Sequence, residues 1–231
     1  MAAVVELRGA TKRFGAVLAL DAIDLAVEPG ETVVLVGPNG SGKTTLLQLL
    51  SGTLEPDAGD VLVCGHDVVR ERRAARARTG AVLGGPGGWY PRLSGRANLE
   101  FFASLEALGD AASGAVDAAL GAVGLAEAAD RRVGGYSTGM RARLALARAR
   151  LARPPVLLLD EPTAALDARS VREFRDSLRT DDRPPAVLLA THDAEEAVQL
   201  GDRVVALRAG RVARELRHDP GLEDVTALMA A

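Results

Sequence analysis

The eight residues Gly37-Pro38-Asn39-Gly40-Ser41-Gly42-Lys43-Thr44 decide how this chain is read. They follow Thr32–Val36, a short β-rich run, and lead from Lys43 into an apolar pattern of helical period. Glycines in such a turn let successive backbone N–H groups curl around phosphate oxygens, with the positive end of the helix behind them. Lys43 supplies a compact charge to the outer phosphates, and the Thr44 hydroxyl suits Mg2+. Of the 28 basic residues only Lys12 and Lys43 are lysines, and an arginine fork would sit poorly in this cradle. Gly37, Pro38, Asn39, Gly40, Ser41, Gly42, Lys43, Thr44 and Thr45 are the candidate nucleotide-binding residues. The rival reading is a Gly-rich turn without a ligand.

Downstream, Val156-Leu-Leu-Leu-Asp160-Glu161 reads as a buried strand ending in two carboxylates. Buried acids need a partner, and Mg2+ beside the phosphate loop would be one. Asp160, with Thr44, is the candidate metal ligand, and Glu161 the candidate general base toward an attacking water. An acid pair that only caps the next helix is the rival reading. Loop and acid pair together indicate a P-loop nucleotidase.

The rest of the chain fits one large domain with an insertion. It has 231 residues, 48% hydrophobic and 26% charged. The single Cys64 excludes an internal disulfide, and no apolar run approaches the roughly 18–20 residues that cross a bilayer. Met1–Arg8 lacks the order of a signal peptide, and a net charge of −3 argues against nonspecific nucleic-acid binding. A cytosolic chain with no nucleic-acid partner is expected. Strands are expected at Val4–Arg8, Thr32–Val36, Val61–Val63, Ala81–Leu83, Val156–Leu159 and Ala186–Ala190. Between about residues 88 and 153 the period becomes helical, with Ala97–Leu108, Ala111–Val123 and Thr138–Ala152 as helices. Arg179–Pro185 reads as a polar loop, Val204–Leu207 with Arg211–Glu215 as a closing hairpin, and Arg141, Arg143, Arg148 and Arg150 as a solvated helix face.

Three further segments narrow the class: Tyr136-Ser137-Thr138-Gly139-Met140 opening a helix, Ala165-Leu166-Asp167 after the acid pair, and Thr191-His192-Asp193 after the next strand. With these the chain resembles the ATP-binding domain of an ATP-binding cassette (ABC) transporter from about Val5 to Arg217, and most the subfamily serving bacterial exporters, where YS-x-GM replaces LSGGQ. The resemblance implies an α/β P-loop NTPase (RecA-like) core with an N-terminal antiparallel β subdomain and an inserted helical subdomain. It divides the chain into an ATPase domain at 1–217 (core and β subdomain 1–87 and 154–217, helical subdomain 88–153) and a C-terminal tail at 218–231. It further implies that Phe14 stacks on adenine, unless it is core, and that Lys43, Glu161 and His192 form the catalytic set, His192 as the γ-phosphate switch. Ser137, Thr138, Gly139 and Met140 would act in trans on ATP held by a second subunit, and Asp167 would lie at the dimer seam.

The function so implied is ATP hydrolysis by a subunit that forms a homodimer or heterodimer around two Mg2+–ATP and drives a separate membrane permease, an exporter. The subunit would be cytoplasmic, held at the inner membrane through that permease. Trp89 and Tyr90 fall where the family docks a permease helix. One departure stands out: where the family carries a glutamine that contacts Mg2+ and water, this chain has Gly84, within Gly84-Gly-Pro-Gly-Gly88. That keeps open a weakly catalytic module that uses ATP to dimerise, beside a soluble ABC ATPase not coupled to transport.

Overall fold

Two kinds of strand pattern build two sheets. The computed structural model describes the chain except Met1, residues 85–86, Ala165, residues 179–183, residues 218–219 and Ala231. Its strands are β1 (Val5–Phe14), β2 (Val17–Val27), β3 (Thr32–Val36), β4 (Ala58–Val63), β5 (His66–Asp67), β6 (Thr79–Val82), β7 (Val156–Asp160), β8 (Ala186–Ala190), β9 (Arg203–Arg208) and β10 (Arg211–Arg217). The helices are α1 (Lys43–Leu50), α2 (Arg72–Arg76), α3 (Gly95–Leu105), α4 (Ala112–Ala122), α5 (Thr138–Ala149), α6 (Ala168–Leu178), α7 (Ala194–Leu200) and α8 (Leu222–Ala230).

The apolar runs β3, β7 and β8 lie inside a sheet of order β10-β9-β3-β8-β7-β6, parallel except for β10. Alternate residues of each strand enter different cores. Val34, Val36, Leu157 and Leu159 pack with Phe174, Leu200 and Val225 of the helices. Val33, Leu35, Leu158 and Leu188 pack on the other face with Leu46 and Leu49 of α1 and with the second sheet. Burial on both faces is why these strands read as unbroken apolar runs. The second sheet, β2-β1-β4-β5, is antiparallel and alternates buried with exposed residues. The chain has the α/β P-loop NTPase fold with an antiparallel β layer, as its sequence indicated.

Several boundaries differ from expectation. Strand β2 is absent from the expected set although Leu20, Ile23, Leu25 and Val27 point into the core. Its period of two slips at Ala22, which has a left-handed φ of 48° where the register with β1 shifts. Strand β1 runs six residues past Arg8, to Phe14. Helix α3 begins at Gly95, where Ser94 Oγ accepts from Ala97 N, and stops short of Leu108 as Ala107 turns left-handed at φ 55°. The segment expected as a tail contains α8, whose Val225 and Leu228 are buried beside α7. The expected loop Arg179–Pro185 lies mostly outside the described residues. The arginines of α5 are not a solvated face: Arg150 is 6% exposed, Arg148 lies 3.6 Å over the Phe102 ring, Arg141 donates to Tyr136 O, and Arg143 pairs with Glu173.

Candidate active site

The phosphate loop occupies the gap between the two sheets, and the gap leaves no room for side chains. A Cβ on Gly37, at φ 142°, would sit 2.2 Å from Leu207 O at the end of β9. One on Gly42, at φ 108°, would meet Ala19 O of β2 at 2.7 Å. Pro38, Asn39 and Gly40 form an exposed crest between them. Helix α1 starts behind this loop with no side-chain cap and no acid in its first turn, so its leading N–H groups are left for an anion. Ser41 Oγ is buried within the loop without a hydrogen-bond partner, an orphan that an incoming oxygen would satisfy.

Lys43 is 7% exposed and folds back on the loop, Nζ donating to Gly37 O at 2.7 Å and to Pro38 O at 3.3 Å. Burial lowers its pKa, and the Glu161 and Asp160 carboxylates push it back up. Desolvation therefore works against this charge in the free protein. From the same helix, Thr44 Oγ1 donates to Asp160 Oδ2 at 2.9 Å. Hydroxyl and carboxylate oxygens are the donors a hard cation prefers. No group of three His, Cys, Asp or Glu side chains that could hold a metal occurs among the described residues.

Glu161 follows Asp160 with a left-handed φ of 49°. For a residue with a Cβ this costs about 1–2 kcal/mol, and such strain gathers at functional positions. The neighbouring strands hold it there. Asp160 is in register with Ala190, and Glu161 N donates to Ala190 O at 2.9 Å. Two residues on, His192 Nδ1 lies 2.7 Å from Glu161 Oε2.

These groups wall a cavity of about 640 Å³, within the usual range for a small-molecule site. Phe14, Asn39 to Thr45, Thr138, Asp160 and Glu161 all border it. Phe14 is 48% exposed at the mouth, so it is not core. Gly84 also borders the cavity, with φ 77° and open space where a Cβ would go; Gly85 and Pro86 beside it are outside the described residues. His192 lies in an adjoining cleft that shares Glu161 as a wall.

The remaining expected residues are not drawn into the cavity. Ser137 is exposed and caps α5, its Oγ accepting from Met140 N at 3.1 Å. Asp167 caps α6 by accepting from Ser170 N at 2.8 Å; Ala165 nearby is outside the described residues. Gly139 is buried, and its Cβ would lie 2.5 Å from Ser170 Oγ, so α5 and α6 touch there through glycine. Met140 packs partly against the helical-side core. Two polar residues at the site escaped sequence reading: Thr163 and Glu196, both buried and hydrogen-bonded to each other. The signal available was an acid on the apolar face of the short helix after His192, beside Ala197 and Leu200.

Comparison with known proteins places this geometry. The ABC transporter family profile matches residues 20–164. The chain is 46% identical over 213 residues to the daunorubicin resistance ATP-binding protein DrrA3 of Streptomyces coeruleorubidus, covering 91% of this chain and 67% of that one. It is 41% identical over 219 residues to the sulfate/thiosulfate import ATP-binding protein CysA of Bordetella parapertussis, covering 90% and 60%. Among solved structures, it matches the dimeric post-hydrolysis state of the ATP-binding cassette MJ0796 bound to ADP and Pi at TM-score 0.80 and 28% identity, over 92% of this chain and 98% of that one.

If the loop is the phosphate site, Lys43→Ala weakens Mg2+–ATP binding by on the order of a hundredfold or more, because it removes a buried, hydrogen-bonded charge. Calorimetric titration of both proteins measures this. Equal affinities would show that the loop does not hold the nucleotide.

Proposed function

The chain belongs to the ABC transporter family and is an ATPase subunit; we propose that it dimerises around two Mg2+–ATP and drives a separate membrane permease in the direction of export. The observation that carries this reading is the pairing of Thr44 with Asp160 and of Glu161 with His192 beside an uncapped glycine cradle. In the proposed reaction the loop N–H groups and Lys43 bind the phosphates. Thr44 and Asp160 would hold Mg2+, which when bound neutralises phosphate charge. Glu161 takes a proton from the attacking water, and His192 orients that carboxylate and contacts the γ-phosphate. Phe14 covers the adenine.

Exposed Ser137 and Thr138, with Gly139 and Met140 behind them, complete the site of a second copy, with Asp167 at the seam. The dimeric relative bound to ADP and Pi supports that arrangement. We take residues 88–153 as the subdomain that presents this segment. No helix among the described residues is long and apolar enough to cross a membrane. A separate permease would dock beside the groove between β6 and α5, where four of the seven aromatic residues gather. Trp89 stands edge-on to Phe102 at 5.8 Å and Tyr90 to Phe101 at 5.0 Å, with Tyr90 and Phe101 partly exposed. This would hold the subunit at the cytoplasmic face of the inner membrane. Export is supported by the YS-x-GM segment and by the relative named for daunorubicin resistance; the import ATP-binding relative pulls the other way.

Two experiments test this reading. Glu161→Gln keeps the shape of the side chain but loses the base. The variant should bind Mg2+–ATP, stop turning over and accumulate as a dimer on sizing chromatography; hydrolysis at the parent's rate would remove Glu161 from its role. Gly84 offers no side-chain oxygen, and loss of one catalytic contact costs about 3 kcal/mol, on the order of a hundredfold in rate. Slow basal turnover is therefore expected. Gly84→Gln has the space to restore the oxygen but must adopt the left-handed φ of 77°. Gly84→Ala carries that backbone cost without the oxygen, so it is the control. The glutamine variant should exceed both the alanine variant and the parent in ATPase rate; a glutamine variant no faster than the alanine one would sink the missing-oxygen account.

A further inference from the structure

Among the described residues, Glu196 is the one buried acidic side chain, and it lies beside the Glu161–His192 pair. It sits on α7, one turn after His192, and is 3% exposed. Thr163 Oγ1 donates to its Oε1 across 33 residues of sequence. Thr163 and Thr191 are both buried, at 8% and 1% exposed. Thr163 lies two residues after Glu161, and Thr191 immediately precedes His192. One carboxyl therefore spans the two segments that hold the catalytic pair.

We propose that Glu196 is a positioning residue of the ATPase, fixing the distance between Glu161 and His192 by clamping Thr163 to α7, the helix that follows His192. The proposal rests on the reading of Glu161 as the base.

The geometry shows why a clamp is needed and why it is polar. Glu161 is held in a left-handed conformation, which persists only where the surroundings over-determine it. On its N-terminal side the parallel register of β7 with β8 does this. On its C-terminal side the chain leaves the sheet, and the ties there among the described residues are the turn bonds Ala164 N to Glu161 O at 3.4 Å and Leu166 N to Thr163 O at 2.9 Å, with the Thr163–Glu196 contact. The other end of the clamp is anchored, since Thr191 N donates to Leu35 O at 3.1 Å and Thr191 Oγ1 accepts from Asp193 N at 3.1 Å. Asp193 in turn caps α7 by accepting from Glu195 N at 2.8 Å, which sets where Glu196 projects. A leucine at 196 would fill the same pocket beside Ala197 and Leu200 without desolvating a carboxyl, so packing alone does not call for an acid. Burial pushes this carboxyl above its ordinary range, with Asp193 and Glu161 adding to the effect and the two threonine hydroxyls opposing it. A glutamine amide has nearly the shape of this carboxyl and offers a carbonyl oxygen that can accept from the same hydroxyl.

That likeness supplies the test. Steady-state ATPase kinetics, Mg2+–ATP affinity and thermal unfolding are measured for the full chain and for Glu196→Gln, Glu196→Leu and Thr163→Val. Glu196→Leu should lower kcat on the order of tenfold or more while KM stays within about twofold and the unfolding midpoint does not fall. Glu196→Gln should keep kcat within about threefold, since its amide oxygen can accept from the Thr163 hydroxyl. Thr163→Val should reproduce the leucine phenotype, and the Glu196→Leu/Thr163→Val double variant should be no worse than either single one. The proposal is overturned if the leucine and valine variants retain the parent's kcat. It is equally overturned if kcat, affinity and unfolding midpoint all fall together with no rescue by glutamine, which is a structural role. If the parent hydrolyses ATP and Glu161→Gln does not, either result condemns the clamp alone. If Glu161→Gln turns over at the parent's rate, the catalytic reading and the clamp fall together.

Discussion

The contact on which this structure turns is a seam of backbone groups where no side chain fits. Gly210, in the turn between β9 and β10, donates its N–H to Ser41 O at 3.0 Å and accepts from Asp21 N at 2.8 Å. A Cβ there would lie 2.7 Å from Ala19 O. The phosphate loop, the β9–β10 turn and strand β2 are thus stitched together through glycine backbone, with Arg211 and Asp21 pairing at the rim. Because Gly37 and Gly42 press on β9 and β2 from within the loop, the cradle has a shape before any ligand arrives. Preorganisation of this kind is what lets bare N–H groups act on charge without first reorganising.

From that seam outward, parallel strand register does the remaining placement. Strand β7 ends with Asp160 beside Thr44 and β8 ends two residues before His192, so Thr44 meets Asp160 across 116 residues of chain and Glu161 meets His192 across 31. The price is local strain and desolvation: Glu161 is held left-handed, and Lys43 and Glu196 are buried titratable groups. Each costs stability that packing alone does not require. Ser137 and Asp167 cap α5 and α6.

Much of this was legible in the sequence because backbone chemistry imposes it. The loop glycines, the apolar runs of β3, β7 and β8, and the acid pair each follow from a requirement that few other residues meet. What stayed hidden has physical reasons. Strand β2 carries its core residues in two phases separated by the bulge at Ala22, so simple alternation breaks in its middle. The arginines of α5 looked solvated because a charge run usually is, yet Arg148 lies on an aromatic ring and Arg150 is enclosed near α6. The pairing of Glu196 with Thr163 stayed hidden because it joins a helix to a turn 33 residues earlier, and the acid on the apolar face of α7 does not by itself name its partner. Residues acting in trans carry no signal in one chain beyond resemblance.

The central claim is that residues 37–44 form a ready cradle for the phosphates of Mg2+–ATP. Hydrogen–deuterium exchange of the free chain, with and without excess Mg2+–ATP, addresses it at the backbone groups concerned. The account predicts that amides from Asn39 to Thr45 exchange at least about tenfold more slowly with nucleotide, as their N–H groups take phosphate oxygens, while the already bonded amides of β3 and β9 change little. Unchanged exchange through the loop, with protection appearing elsewhere or nowhere, would contradict it.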